Sequence, residues 1–291
     1  RDVLIPKTGR HLIPGLIKPF GEGLGDSTNI AHYLEENFPE PAIVPRDPLM
    51  SFFAHLLEDF FDEWLTKVFF CMRWSFKEDA RQAADYFAQA YAGHDGLTAD
   101  QIRELMPARL TEQMHRLIGG AKNAPFFHDQ FDRIYEVLDA HFADHAYLLG
   151  KRPTLADFGF FGQAHQSLFD PTGGGRIRSR FKTVERWIEK VKNLAPASVK
   201  GAVDEEDAWC EPDDLGPILR IVEATYLPWM RANADAVAAG ESSYKLRFGE
   251  YEIEFPAGKY LLKCLNAVDG YYRNVADEER EIVDGLLAWT E

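Results

Sequence analysis

Residues 49–74, LMSFFAHLLEDFFDEWLTKVFFCMRW, constrain the fold most. Apolar side chains recur at helical spacing with no proline or glycine between them, so the run predicts one amphipathic helix of about 25 residues, about 38 Å long. A helix with so broad an apolar surface needs partners to cover it. The chain supplies them. Thr98 and Gln101 form a capping box for a run ending near Ile118, and NAPFFHDQFDRIYEVLDAHF gives another helix. In GKRPTLADFGFFGQAHQSLF, Thr154 and Asp157 have capping-box spacing and serve structure, and the nearly all-apolar helix after them belongs in the middle of a bundle. TVERWIEKVKNL completes the bundle.

The two ends read differently. Residues 1–47 resemble a piece of an α/β unit: HLIPGLIKPFGEGLGD reads as strand, turn and strand with GEG as the turn, followed by a helix from Ser27. FPEPAIVPRDP (38–48) is too proline-rich to be helical and marks an interdomain linker. Beyond residue 200 an acidic loop, DEEDAWCEPDD, leads to a further helix and then to YKLRFGEYEIEF. With Gly249-Glu250 as a two-residue turn, Phe248 faces Tyr251, Leu246 faces Ile253 and Tyr244 faces Phe255, while Arg247 meets Glu252 and Lys245 meets Glu254. Two helices close the chain. The expected organisation is therefore 1–47 α/β, 48–200 all-α, and 201–291 an extension whose hairpin (244–255) packs on the α domain.

A net charge of −15 argues against nucleic acid and anionic membrane as partners, and no apolar run is long enough to span a bilayer. Cys71, Cys210 and Cys264 lack metal or redox spacing and suggest reduced thiols in a cytosol-like compartment. The sequence starts at Arg1 without a visible signal peptide, so the expected location is cytoplasmic, or an organelle interior after removal of a targeting segment. His141 and His145 stand at i,i+4 beside Asp139 and Asp144, but a helix end accounts for them and no metal is expected. PTGGGRIRSR (171–180) follows a helix, not a strand, so it fails as a dinucleotide fingerprint and reads as a flexible loop.

Two stretches carry candidate chemistry. In GDSTNIAHYL, Asp26 or Ser27 would cap the helix, or else the free amides of its first turn hold a carboxylate. On the long helix Glu58, Asp59, Asp62 and Glu63 read either as a solvated acidic face or as a cleft lining through Asp59 or Asp62, with Met72, Arg73 and Trp74 walling an apolar pocket or packing in the core.

LIPGLI followed by GDSTNIAHYLEENFPEP resembles the second half of the thioredoxin-like domain of glutathione S-transferases. LLGKRPTLADFGFFG resembles the capping-box helix of their all-α second domain, and FFDEWLTKVFFCMRWSF is similar to a longer bacterial-type branch. The similarity runs through residues 7–195 and, less specifically, to the C-terminus. It implies a partial thioredoxin-like domain, a helical transferase domain, and glutathione as co-substrate added to an apolar electrophile. By resemblance Ile13, before a cis Pro14, offers its backbone to the cysteinyl part. Asp26, Ser27 and Thr28 meet the γ-glutamyl end, and Lys7, Arg10 or His11 meets the glycyl carboxylate, Arg10 being carried with the site. The family's first strand-helix-strand, which carries the thiol-activating residue, has no counterpart in this sequence, so no catalytic residue is assigned. Either that segment precedes Arg1 or the chemistry is lost. The alternative reading is a non-catalytic binding module or a subunit of an assembly; a homodimer is the family's expectation.

Overall fold

The computed structural model describes residues 3–9, 13–93, 96–195 and 208–289. Arg10 and His11, the expected boundary at residue 200 and the first four residues of the acidic loop (204–207) lie outside these. The long helix forms, with one difference. α3 (Pro48–Asp59) begins under Asp47, whose carboxylate accepts the Met50 amide at 2.8 Å. It then passes through a π turn (Phe60–Trp64) into α4 (Leu65–Ser75). Phe52, Phe53, Phe60, Phe61, Trp64 and Val68 are fully buried, so this helix is the core of the molecule.

The other helices cover it. α5 (Lys77–Tyr91) and α6 (Ala99–Leu117) pair with each other and with α4; α7 (Ala124–Asp144) packs on α4; α8 (Leu155–Phe169) packs on α3. α9 (Pro171–Arg180) and α10 (Lys182–Lys192) complete the bundle. α8 is not buried on every side as its sequence suggested: Phe158 and Phe169 are exposed. Gly159 explains how closely it approaches α3, because a Cβ there would lie 3.2 Å from the Glu58 Cα.

The GGG stretch is α9, not a flexible loop. Pro171 at its start supplies a preset φ, and the Thr172 amide and hydroxyl both donate to Asp79, at 2.9 and 2.6 Å. Gly174 has no room for a side chain, since a Cβ would sit 2.3 Å from the Leu168 carbonyl oxygen. Packing overrides low helix propensity here.

The extension continues the same core. α11 (Gly216–Ile221) runs through a second π turn (Val222–Tyr226) into α12 (Leu227–Ala239). β3 (Ser243–Phe248) and β4 (Tyr251–Pro256) then pair antiparallel in the expected register, Phe248 opposite Tyr251 and Lys245 opposite Glu254. The Phe248 ring stacks 5.0 Å from Phe126 and lies 5.9 Å from Trp64, which seats the hairpin on the bundle. α13 (Lys259–Asn274) lies along α3, and α14 (Asp277–Leu287) follows. Among the described residues no helix is long and apolar enough to cross a membrane.

At the N-terminal end α1 (Leu4–Thr8) covers a two-stranded antiparallel pair, β1 (Gly15–Ile17) and β2 (Gly23–Gly25), and α2 (Ser27–Asn37) follows. The turn falls at Lys18–Gly21, overlapping GEG (21–23) only at Gly21, whose φ is 85°. None of these four elements contains a buried residue. The segment after α2 is tied down: Glu35 accepts the Ile43 and Val44 amides at 3.0 Å each, and the Leu155 amide donates to the Ile43 carbonyl at 2.9 Å.

Asp157 is fully buried and organises the start of α8. One carboxylate oxygen accepts the Leu148 amide at 2.9 Å; the other accepts the Thr154 amide at 2.8 Å and its hydroxyl at 3.1 Å. Burial pushes this carboxyl up to about 7, against the pull of those three donors. Removing it strands buried amides, so Asp157→Ala is expected to cost roughly 2–4 kcal/mol in urea unfolding. A loss below about 0.5 kcal/mol contradicts this structural role.

Candidate functional site

The N terminus of α2 carries no side-chain cap. Asp26 does not serve as the expected cap; it sits at φ 84°, ψ 127°, a backbone region that non-glycine residues rarely occupy and that clusters at functional sites. The first helical bond runs from the Ile30 amide to the Asp26 carbonyl at 3.0 Å. The amides of Ser27, Thr28 and Asn29 therefore lie outside the helical ladder, at the positive end of the helix. The Ile13–Pro14 peptide is cis, and Ile13 is 77% exposed.

The four acids of the long helix are not a solvated face, and Glu58 and Asp62 lie beside this helix end. Glu58 is only 7% exposed, and Asp59, Asp62 and Glu63 are half-buried. The Thr28 hydroxyl donates to Glu58 at 3.0 Å, so that hydroxyl is committed to the protein and not to a ligand. Burial, then the charges of Asp59 and Asp62, push Glu58 up to about 8. Asp59 accepts the Tyr226 hydroxyl at 2.5 Å and interacts with Cys264; burial lifts it to about 6 despite those bonds. Burial, then Asp26, raises Asp62. Burial and Asp59 lift Glu63 to about 7, opposed by a hydrogen bond from Tyr260. Lys67, 4.5 Å over the Trp229 ring, is lowered by burial to about 8 although Glu63 favours its charge.

The result is an uncapped, positive helix end beside a wall of carboxyls. Such a pairing suits a group that carries a carboxylate and an ammonium together.

The same helix seam holds an aromatic stack. His55 lies 3.5 Å from Tyr271 of α13, centroid to centroid, and 5.4 Å from His32 of α2. Its Nδ1 contacts the Ser51 carbonyl oxygen at 2.7 Å, while its Nε2 is buried without a partner among the described residues. Burial brings His55 down to about 4, keeping it neutral.

Met72, Arg73 and Trp74 do not join the acids. They lie about 15 Å farther along the helix axis. Met72 and Trp74 are buried, and Arg73 pairs with Asp170 at 3.0 Å. Lys67, Tyr226, Tyr260 and Cys264 were not foreseen, since three of them come from the extension. A signal was present for the acids: four carboxyls inside an otherwise apolar run cannot all reach water. His141 and His145 stack at 4.5 Å, His145 lies 3.6 Å from Asp214, and no metal-holding group of three or more residues exists among the described residues.

A neutral-held Glu58 has a pH consequence. Its folded value of about 8 exceeds the ordinary 4.5, so its contribution to stability is full below about 4.5 and is lost as pH rises through about 8. Glu58→Gln is expected to melt at least roughly 3 °C above the parent at pH 8.5 and close to it at pH 5. A variant that melts below the parent at pH 8.5 contradicts this.

No curated protein matches the chain. A family model does match residues 88–190, from the end of α5 through α6, α7, α8 and α9 into α10, with the Thr154–Asp157 corner inside the match. That model describes the C-terminal domain of glutathione S-transferases, and residues 88–190 of this chain are similar to it.

Proposed function

We propose that this protein binds glutathione at the start of α2 and adds its thiol to an apolar electrophile held against the helical domain. The observation that carries the reading is the uncapped α2 N terminus beside the acidic wall. The γ-glutamyl end of glutathione presents an α-carboxylate and an α-ammonium on one carbon. The carboxylate takes the Ser27 hydroxyl and the amides of residues 27–29, and the ammonium takes Asp26 and Asp62. Thr28 contributes its amide, its hydroxyl being held by Glu58. The exposed Ile13 main chain receives the cysteinyl part, and Lys7, Arg10 or His11 the glycyl carboxylate. The 1–47 segment is read as part of a thioredoxin-like unit.

In the reaction the glutathione thiolate attacks the electrophilic carbon; with an aryl halide the halide leaves and the thiol proton passes to solvent. A second reading, ligand binding without catalysis, draws support from the neighbouring groups. Burial pushes the Cys264 thiol and the Tyr226 and Tyr260 hydroxyls upward, away from the values that would let them activate a thiol.

Calorimetric titration with glutathione is expected to saturate, and Ser27→Ala to weaken binding about 10- to 100-fold, the value of one hydrogen bond to a charged group. Conjugation of a generic aryl halide then separates the readings, turnover supporting transfer and its absence supporting binding alone. No glutathione binding overturns both.

A further inference from the structure

Glu58, Asp59, Asp62 and Glu63 stand close together on the central helix, Glu58 buried and the other three half-buried. Among the described residues none of the four has a basic group within ion-pair distance. Lys67, one turn farther along, acts on Glu63 alone and from outside that distance.

The elements packed around the cluster add no other cation to it. The α2 side brings Asp26, which bears on Asp62 with the same sign, and the Thr28 hydroxyl on Glu58. The second π turn brings Tyr226 to Asp59. α13 brings Tyr260 to Glu63, Cys264 to Asp59 and Tyr271 towards Glu58. α8 presents Gly159, and on α3 itself His55 is kept neutral by burial and stacks with His32 of α2.

One lysine does not balance four carboxylates in a place with so little water, and like charges this close do not all ionise. The cluster therefore retains protons near neutral pH, chiefly at Glu58, held up to about 8, and Glu63, held up to about 7. Those protons supply the positive charge that the side chains lack. A ligand ammonium beside Asp26 and Asp62 supplies the same charge, and it favours the ionised form of every carboxyl near it.

We propose that filling the glutathione site expels a proton from this cluster: the ligand's ammonium takes over the role of a carboxyl proton, the O–H bond breaks, and the proton leaves to solvent. The inference rests on the glutathione reading and adds a proton-linked affinity to it. Because binding releases protons, affinity rises with pH across the range where the cluster is partly protonated.

The test is calorimetric titration of the full chain with S-methylglutathione, which has no thiol proton to lose, at pH 7 in PIPES and in ACES. Their different ionisation enthalpies turn proton release into a difference in measured heat. A carboxyl at about 8 that is lowered by one or two units gives up roughly 0.4–0.8 of a proton at this pH, and affinity should rise about threefold from pH 6 to 7. The analogue with a glutaryl group in place of γ-glutamyl lacks the amine. It should release no proton and bind at least roughly tenfold more weakly. Combining Glu58→Gln with Glu63→Gln keeps the hydrogen-bond acceptors and should abolish the release, with a melting curve confirming a folded variant; the analogue comparison stands without it. Saturation with equal heats in the two buffers overturns this inference and leaves the glutathione reading intact. Release that persists in the double variant or with the glutaryl analogue also overturns it. No saturation in either buffer overturns both.

Discussion

The contact on which the candidate site rests is the hydrogen bond from the Thr28 hydroxyl to Glu58. It joins the first turn of α2 to the central helix, and it exists because Glu58 is buried. At Gly159 α8 comes close to the Glu58 backbone: a Cβ there would lie 3.2 Å from the Glu58 Cα and carbonyl oxygen, tighter than ordinary contact. A carboxyl enclosed this way and crowded by Asp59 and Asp62 holds its proton to about pH 8. The close approach of α8 lies beside this buried acid of α3, and the acid is hydrogen-bonded to a helix end in a segment with no buried residue of its own.

The π turns explain why so many polar groups converge here. A π turn inserts one residue into a helix and shifts the phase of everything after it. In the central helix it follows Asp59, so Glu58 and Asp59 precede the shift while Asp62 and Glu63 lie within it. All four turn partly inward, where a regular helix would spread them further around its axis. The second π turn ends at Tyr226, and its hydroxyl meets Asp59 across the contact between the two turns. With Tyr260 and Cys264 on α13, the extension supplies much of the polar lining and is thus part of the site's architecture.

Sequence patterns with local physical causes were legible. The hairpin register follows from alternation and paired charges around Gly249-Glu250, and the Thr98–Gln101 cap closes as its spacing implies, with bonds of 2.8 and 3.2 Å. GDST leaves two readings of the α2 start open, a side-chain cap or amides left for a carboxylate, and no side-chain cap forms. What depended on tertiary contacts was not legible. The α9 helix hides behind three glycines because its support comes from Asp79 on α5 and from the Leu168 backbone. The burial of the acids needed α8, and the Asp59–Tyr226 bond spans 167 positions in the chain. No spacing rule reaches that far.

The measurement that bears most directly on this account is a backbone-amide NMR titration of the chain with glutathione. The account predicts that the amides of Ser27, Thr28 and Asn29 show the largest shifts, saturating together, with smaller changes along Glu58–Glu63. Shifts concentrated elsewhere, or none at these three amides at saturating glutathione, would contradict the claim that the start of α2 is where this protein holds its ligand.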